Sequence, residues 1–376
     1  MSKTVTFDGA APAGTINFGI GQPSADLLPV DLVREASHSF FAEAQPFDLN
    51  YGATQGDAQF LYSLAGFLAR NYGVPTTTDE LMLTGGNSQG LDLVSVVFAN
   101  SGDTVFVEEP SYFLAFQIFR DHGLKIVGIP VDDDGLSVEA LQDALKSHRP
   151  AFLYTIPSFH NPSGRSTTEE RRRKIVELAE EHDFLIVADE VYQLLYYYDR
   201  PPPAYGTMSD SGRVVSLGSF SKILAPGLRL GWMQTSKRLV ARTKENGFIN
   251  SGGSINHITS HIVRKAIDSG SLERHIESLQ HSYRNRVEAM DAALHEHFDG
   301  IAGWVRPNGG YFFWLKFDDS VDTGPLREKA RRVHAGFQNG AVFSSHGLLN
   351  NCLRLCFAHY NEDDIREGVA RLRPLF

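Results

Sequence analysis

Seven short apolar runs separated by amphipathic segments fill residues 80 to 235, and this alternation narrows the possible folds more than any other feature. The runs are Leu81–Thr84, Thr104–Glu108, Lys125–Ile129, Ala151–Ile156, Phe184–Asp189, Val214–Ser219 and Leu230–Gln234. Between several of them apolar residues recur at helical spacing, as Leu91, Val94 and Phe98 do within Leu91–Ala99. Strands that are apolar on both faces need cover on both, and intervening helices supply it. The pattern predicts an α/β fold with a mostly parallel, seven-stranded sheet sandwiched by helices. In such sheets ligands sit at the carboxyl ends of the strands.

Beyond Ile255 the pattern changes. A long helical region runs through Phe298, strand-like segments follow at Gly310–Phe317 and Cys352–Phe357, and a closing helix is led by Asn361-Glu-Asp-Asp364. This predicts a smaller α+β domain. The expected division is 1–40 as an N-terminal segment packing with the small domain, 41–275 as the large domain and 276–376 as the small one.

Composition sets limits on function. The 376 residues are 42% hydrophobic and 21% charged, ordinary globular material. Thirty-five Lys and Arg against 45 Asp and Glu give a net charge of −10, which argues against a nucleic-acid coat. No apolar run approaches the ~18 residues of a membrane span, and Met1 to Gly14 lacks the basic and apolar regions of a secretory signal. Cys352 and Cys356 lie four apart in a strand-like stretch, ~13 Å between Cα atoms, beyond the ~7 Å reach of a disulfide. A cytoplasmic protein is expected. The 14 histidines include no His-Glu-x-x-His and no zinc-like cluster, so no metal is expected. Arg171 to Lys174 looks basic, but glutamates flank it; Thr167-Thr-Glu-Glu170 reads as a capping box and the run as a solvated helix face.

Five features fall where strands end. Asp189 closes Phe184–Asp189, with Tyr192 three residues on; a carboxylate ending so apolar a strand requires a partner. Lys222 follows Val214–Ser219, where partial desolvation lowers an amine's pKa. Arg229 lies in Pro226-Gly-Leu-Arg-Leu-Gly231, and Asn161 in His160-Asn-Pro-Ser-Gly164. Gly85-Gly-Asn-Ser-Gln-Gly90 joins a strand to a helix, where free N–H groups suit a phosphate. Alone, each has an ordinary structural explanation. Together they suit one chemistry: an amine for an aldehyde, a carboxylate for a pyridinium nitrogen, and amides, hydroxyls and a guanidinium for a phosphate. That set describes pyridoxal phosphate.

On these motifs, with Gly19-Ile-Gly-Gln-Pro23, Ala188-Asp-Glu-Val-Tyr192 and Ser219-Phe-Ser-Lys222, the chain resembles the class I/II aminotransferases of the fold-type-I pyridoxal-phosphate enzymes over nearly its whole length. The most similar subgroup contains the 2-aminoadipate, kynurenine and aromatic aminotransferases. The resemblance implies a large cofactor-binding domain and a role for each residue. Lys222 would be the Schiff-base lysine and proton shuttle, Asp189 the partner of the pyridine nitrogen, and Asn161 and Tyr192 the ligands of the ring's 3-oxygen. Tyr112 would stack on the ring. Gly86, Asn87, Ser88, Ser219, Ser221 and Arg229 would hold the phosphate, and Tyr51 would reach the phosphate of a partner subunit, implying a homodimer with shared sites. Gly21, Asn161 and Arg354 would receive the substrate, an amino acid or a 2-oxo acid.

Arg354 is also legible from its own strand. Leu353, Leu355 and Phe357 share one face, so Arg354 points the other way, and a carboxylate is its natural bidentate partner. The expected activity is ping-pong transfer of an amino group from an L-amino acid to 2-oxoglutarate or pyruvate. An acidic side chain would need a second cation; Gly21 to Pro29 offers none and Arg34 is the first beyond it, which leans the donor towards neutral or aromatic side chains. The same cofactor also serves lyases, decarboxylases, racemases and oxidases. Gly86-Asn-Ser-Gln-Gly90 fits a hydrolase elbow with Ser88 as nucleophile and His359 or His346 as base, but leaves Lys222, Asp189, Asn161 and Arg229 unexplained. A transcription regulator carrying such a domain would need a DNA-binding head, and none precedes the motifs.

Overall fold

A computed structural model describes residues 14–376; the first 13 residues of the N-terminal segment, and with them most of Met1 to Gly14, lie outside the described residues. In chain order the strands are β1 (Ile16–Asn17), β2 (Leu81–Thr84), β3 (Thr104–Glu109), β4 (Lys125–Asp132), β5 (Gly135–Leu136), β6 (Pro150–Thr155), β7 (Leu185–Asp189), β8 (Val214–Ser219) and β9 (Gly231–Thr235), then β10 (Ala302–Gly303), β11 (Phe312–Phe317), β12 (Ala335–Gly336), β13 (Gln338–Asn339) and β14 (Cys352–Cys356). All seven predicted runs are strands of one sheet, ordered β2-β9-β8-β7-β6-β3-β4-β5. The eighth, β5, is a two-residue hairpin partner that the longer β4 acquires at the edge.

Strands β4, β3, β6, β7 and β8 pair in parallel. Strand β9 runs against both β8 and β2. The cause is the connection: a parallel neighbour needs a long crossover, and only residues 220–230, with the single 3-10 turn Pro226–Leu228, lie between β8 and β9. The chain therefore returns at the edge it left. Strands β7, β8 and β9 are buried throughout, whereas β4, bordered outside only by the two-residue β5, is mostly half-buried or exposed. Two apolar clusters fill the sheet's two faces, with Val107, Val187 and Leu217 in one and Phe106, Ile186 and Ala188 in the other.

The predicted helical region from Ile255 divides at Gly270 (φ 68°) into helices His257–Asp268 and Ser271–Phe298. A second sheet follows, β10-β11-β14-β13, and β1 pairs with β12. Asn361 caps the closing helix by accepting from the Asp364 amide. One expected cap is displaced: helix Glu169–His182 is capped by Thr168, not Thr167. The Thr167 amide is instead committed to the Pro157 carbonyl. Nor is the basic run wholly solvated. Arg172 is fully buried, donating to the carbonyls of Thr167, Pro157 and Pro203. It braces the loop that leads to Asn161.

Candidate active site

The reversal at β9 gathers the site. Gly231 pairs with Ser219 on one side and Thr84 on the other, so the loops after β2 and β8 leave the sheet together. Gly86 has φ 87° and ψ 173°, a conformation suited only to glycine. A Cβ there would also lie 3.2 Å from Arg229 Nη2. Without it, the guanidinium reaches over the loop and donates to the Gly85 carbonyl at 2.9 Å. Helix Asn87–Phe98 starts here, and its first intrahelical bond runs from Gly90 N–H to Gly86. The amides of Asn87, Ser88 and Gln89 therefore precede the helical ladder. Ser219 and Ser221 place their hydroxyls 3.0 Å apart beside them. Amides, hydroxyls and a guanidinium around a glycine cradle fit a phosphate.

Asp189 closes β7 and is 5% exposed. Its Oδ1 accepts from Asn87 Nδ2 at 2.6 Å and its Oδ2 from the Tyr154 hydroxyl at 3.0 Å. Burial pushes its pKa up to about 6, against the opposing pull of both hydrogen bonds and Lys222. The Asn87 carboxamide is spent on Asp189 and the Leu217 carbonyl, which leaves its main-chain amide as the donor for the expected phosphate. Lys222 donates to the Gly21 carbonyl at 3.0 Å and sits 5.2 Å from the Tyr311 ring centre. Burial lowers its pKa to about 8, helped by Arg354 and Arg229. About one amine in ten is then neutral at pH 7.

Arg354 lies on β14 between β11 and β13. Its two strand neighbours Leu353 and Leu355 are buried on one face, as expected, but Arg354 is also buried, at 4% exposure. Its face looks into the cavity. Nη1 donates to Asn161 Oδ1 at 2.9 Å and Nη2 to the Gly19 carbonyl at 3.0 Å, while Nε has no partner among the described residues. The Phe312 ring lies 4.1 Å beneath the guanidinium. Tyr192 packs against Tyr311 and Phe312. Tyr112 immediately precedes helix Phe113–Asp121, its pKa held up at about 12 mainly by burial.

One cavity of about 1140 Å³ collects these groups: Gly21, Asn87, Ser88, Tyr112, Asn161, Asp189, Tyr192, Ser219, Ser221, Lys222, Arg229 and Arg354 all line it. Gly86 underlies Arg229. Tyr51 does not line it; it is 82% exposed. Ser88 lies exposed on the first helical turn; His359 packs edge-on to Tyr360, and among the described residues no histidine bonds to Ser88. The hydrolase reading has no base. Sequence reasoning missed Tyr154, whose signal was one phenol in an otherwise apolar strand. It also missed Arg327, Arg331 and Gln338, which line the same cavity and carry no motif. Among the described residues no group of three or more His, Cys, Asp or Glu is gathered for a metal, and no helix is long and apolar enough to cross a membrane.

A half-buried amine, a buried carboxylate and a glycine loop with free amides at one sheet edge suit the pyridoxal-phosphate enzymes of fold type I. The family model of aminotransferase class I and II matches residues 13–372, and the chain belongs to that family. It is similar to aromatic-amino-acid aminotransferase 1 of Thermococcus litoralis, 34% identical over 95% of this chain and 87% of that protein. It is also similar to the 2-aminoadipate transaminase of Thermus thermophilus, 32% identical over 96% and 89%. Among solved structures, the kynurenine aminotransferase of Pyrococcus horikoshii, in complex with PMP, superposes with a TM-score of 0.91 at 33% identity, covering 97% of this chain and 91% of that one. The protein is an aminotransferase, and its cofactor is pyridoxal 5′-phosphate.

Proposed function

We propose that the protein moves the amino group of an L-amino acid, with neutral and aromatic donors favoured, to a 2-oxo acid such as 2-oxoglutarate or pyruvate in two alternating half-reactions. The observation that carries this is the half-buried Lys222 amine sharing one cavity with a buried carboxylate and a buried guanidinium. Bound pyridoxal phosphate supplies the electron sink for the pair left when the α-proton departs. Lys222 would take that proton from Cα and return it at C4′. Asp189 would keep the ring nitrogen protonated, with Asn87 and Tyr154 holding the carboxylate in place. Asn161 and Tyr192 would bind the ring's 3-oxygen and Tyr112 would stack on the ring. The amides after Gly86, with Ser88, Ser219, Ser221 and Arg229, hold the phosphate. Arg354 takes the α-carboxylate, its idle Nε being the donor available for a second bond, and Gly21 leaves room beside it.

In this reading residues 41–275 bind the cofactor, 276–376 form the small domain with residues 1–40 against it, and Tyr51 serves a partner's site. Free, buried Cys352 and Cys356 accord with a reducing cytoplasm. The test is spectroscopic. Protein reconstituted with pyridoxal phosphate should absorb in the near-ultraviolet to violet, and an amino acid alone should change that band, with a 2-oxo acid restoring it. Lys222→Ala should slow the change by at least the ~10²–10⁴-fold of a lost general base while still binding cofactor. Near-normal turnover in Lys222→Ala would refute the assignment.

A further inference from the structure

Glu108 and His160 form a buried pair that the proposed reaction does not use. Glu108, next to last on β3, is 1% exposed and His160 2%. The paired register of β3 and β6 ends at Val107 with Tyr154, and beyond it the Glu108 carboxylate stands in for the missing strand. Its Oε1 accepts from the Thr155 hydroxyl and its Oε2 from the Ile156 amide, each at 2.7 Å. A third donor faces it. His160 Nε2 lies 3.1 Å from Oε2 and has no hydrogen-bond partner of its own among the described residues. Across the ring, Nδ1 accepts from the Ser163 amide at 3.3 Å and lies 2.8 Å from the Ser163 hydroxyl. An Nδ1 that accepts leaves the ring proton on Nε2, turned to the carboxylate.

The ring sits at the root of the turn that carries Asn161. His160 is bonded across that turn at both main-chain groups, donating to the Arg165 carbonyl at 2.8 Å and accepting from the Gly164 amide at 2.7 Å. Phe159, just before it, holds φ 50°, a left-handed conformation that costs a side-chain-bearing residue and persists only where its surroundings enforce it. Arg172 steadies the approach at Pro157 and Ser158, and His160 ties the turn itself to β3. Asn161, the next residue, accepts from Arg354 Nη1 at 2.9 Å. One carboxamide thereby couples the turn to the second sheet.

We propose that Glu108 and His160 are positioning residues that act through Asn161, fixing the turn so that its carboxamide meets both the ring's 3-oxygen and Arg354. This rests on the aminotransferase reading of the cavity. An apolar pair of like volume would fill the space without the cost of desolvating a carboxylate. It would also leave the Ile156 amide unmet and the turn without a fixed angle to β3. The contact between imidazole and carboxylate supplies that angle. A displaced Asn161 loses its hold on the guanidinium that would receive the α-carboxylate, whereas Lys222, tied to the Gly21 carbonyl, keeps its place.

The test compares His160→Phe, which keeps a ring and loses both nitrogens, with His160→Gln, whose amide can still donate towards Glu108. In cofactor-loaded His160→Phe without substrate, the pH at which the cofactor's absorbance band changes should move up, because a 3-oxygen short of its donor holds a proton more tightly. KM for an amino acid should rise about 10-fold, the upper range of one hydrogen bond, with kcat falling less. His160→Gln should recover most of both. If His160→Phe does not fold, Glu108→Gln, which keeps the shape and removes the charge, should show the same two shifts at smaller size. A pair that only fills space would lower the melting temperature and leave KM and the absorbance midpoint where they were; that result would overturn the proposal. Failure of amino transfer itself reads differently: no amino acid would then change the absorbance of the unmodified enzyme, while the pH shift in substrate-free His160→Phe would still report on the turn.

Discussion

Asp189, buried, and Lys222, half-buried, share one cavity and are shifted in opposite directions for the same reason: loss of water disfavours both charges. Burial leaves the carboxyl titrating near 6 and the amine near 8, so at pH 7 most carboxyls are ionised while some amines are neutral. Asn87 and Tyr154 hold the carboxyl from rising further, since hydrogen bonds to a carboxylate favour its charged form. Below about pH 6 Asp189 takes a proton and can no longer ion-pair with a protonated ring nitrogen. Cofactor binding, followed by absorbance, should therefore weaken as pH falls through that value. In Tyr154→Phe one supporting bond is lost, the Asp189 pKa rises, and the fall should move to higher pH. An unshifted profile would show that Tyr154 only fills space.

At the scale of elements, the loop after β2 depends on Gly86. Gly86→Ala places a side chain in a glycine-only conformation, worth ~1–3 kcal/mol, and crowds Arg229. Denaturant melting should shift by that amount, and the variant should lose cofactor on dialysis faster than the parent; equal retention would show that the loop does not hold the phosphate. These elements were readable because each strand is apolar enough to declare itself and each motif follows its strand directly. Asp189, Lys222 and Arg354 were found by that logic. The direction of Asn87 was not, because its carboxamide answers to a carboxylate on another strand. Arg327 and Gln338 were not, because they join the site only when the second sheet folds against the first segment. Arg172 was hidden among exposed arginines, its burial decided by a loop that needed carbonyl partners.

At the scale of the molecule, several large apolar side chains remain in solvent. Phe41, Phe47, Leu49, Tyr51 and Phe248 are 56 to 82% exposed. The segments carrying them meet, since the Ser254 amide donates to Ala53. Such a patch on one face favours association. Sedimentation should report twice the 41.6 kDa chain mass, and Phe47→Asp with Leu49→Asp should give monomers of much lower activity, because Tyr51 could no longer reach a neighbouring phosphate. Fully active monomers would exclude a shared site.

Lys222 and Arg229 sit on the one brief return from β8 to β9. That return works as a ruler for the proposed reaction: both its ends are pinned in the main sheet, which sets how far apart the amine and the guanidinium start. Residues on the second sheet that touch neither can thus be exchanged, and the range of acids accepted altered, with that spacing kept.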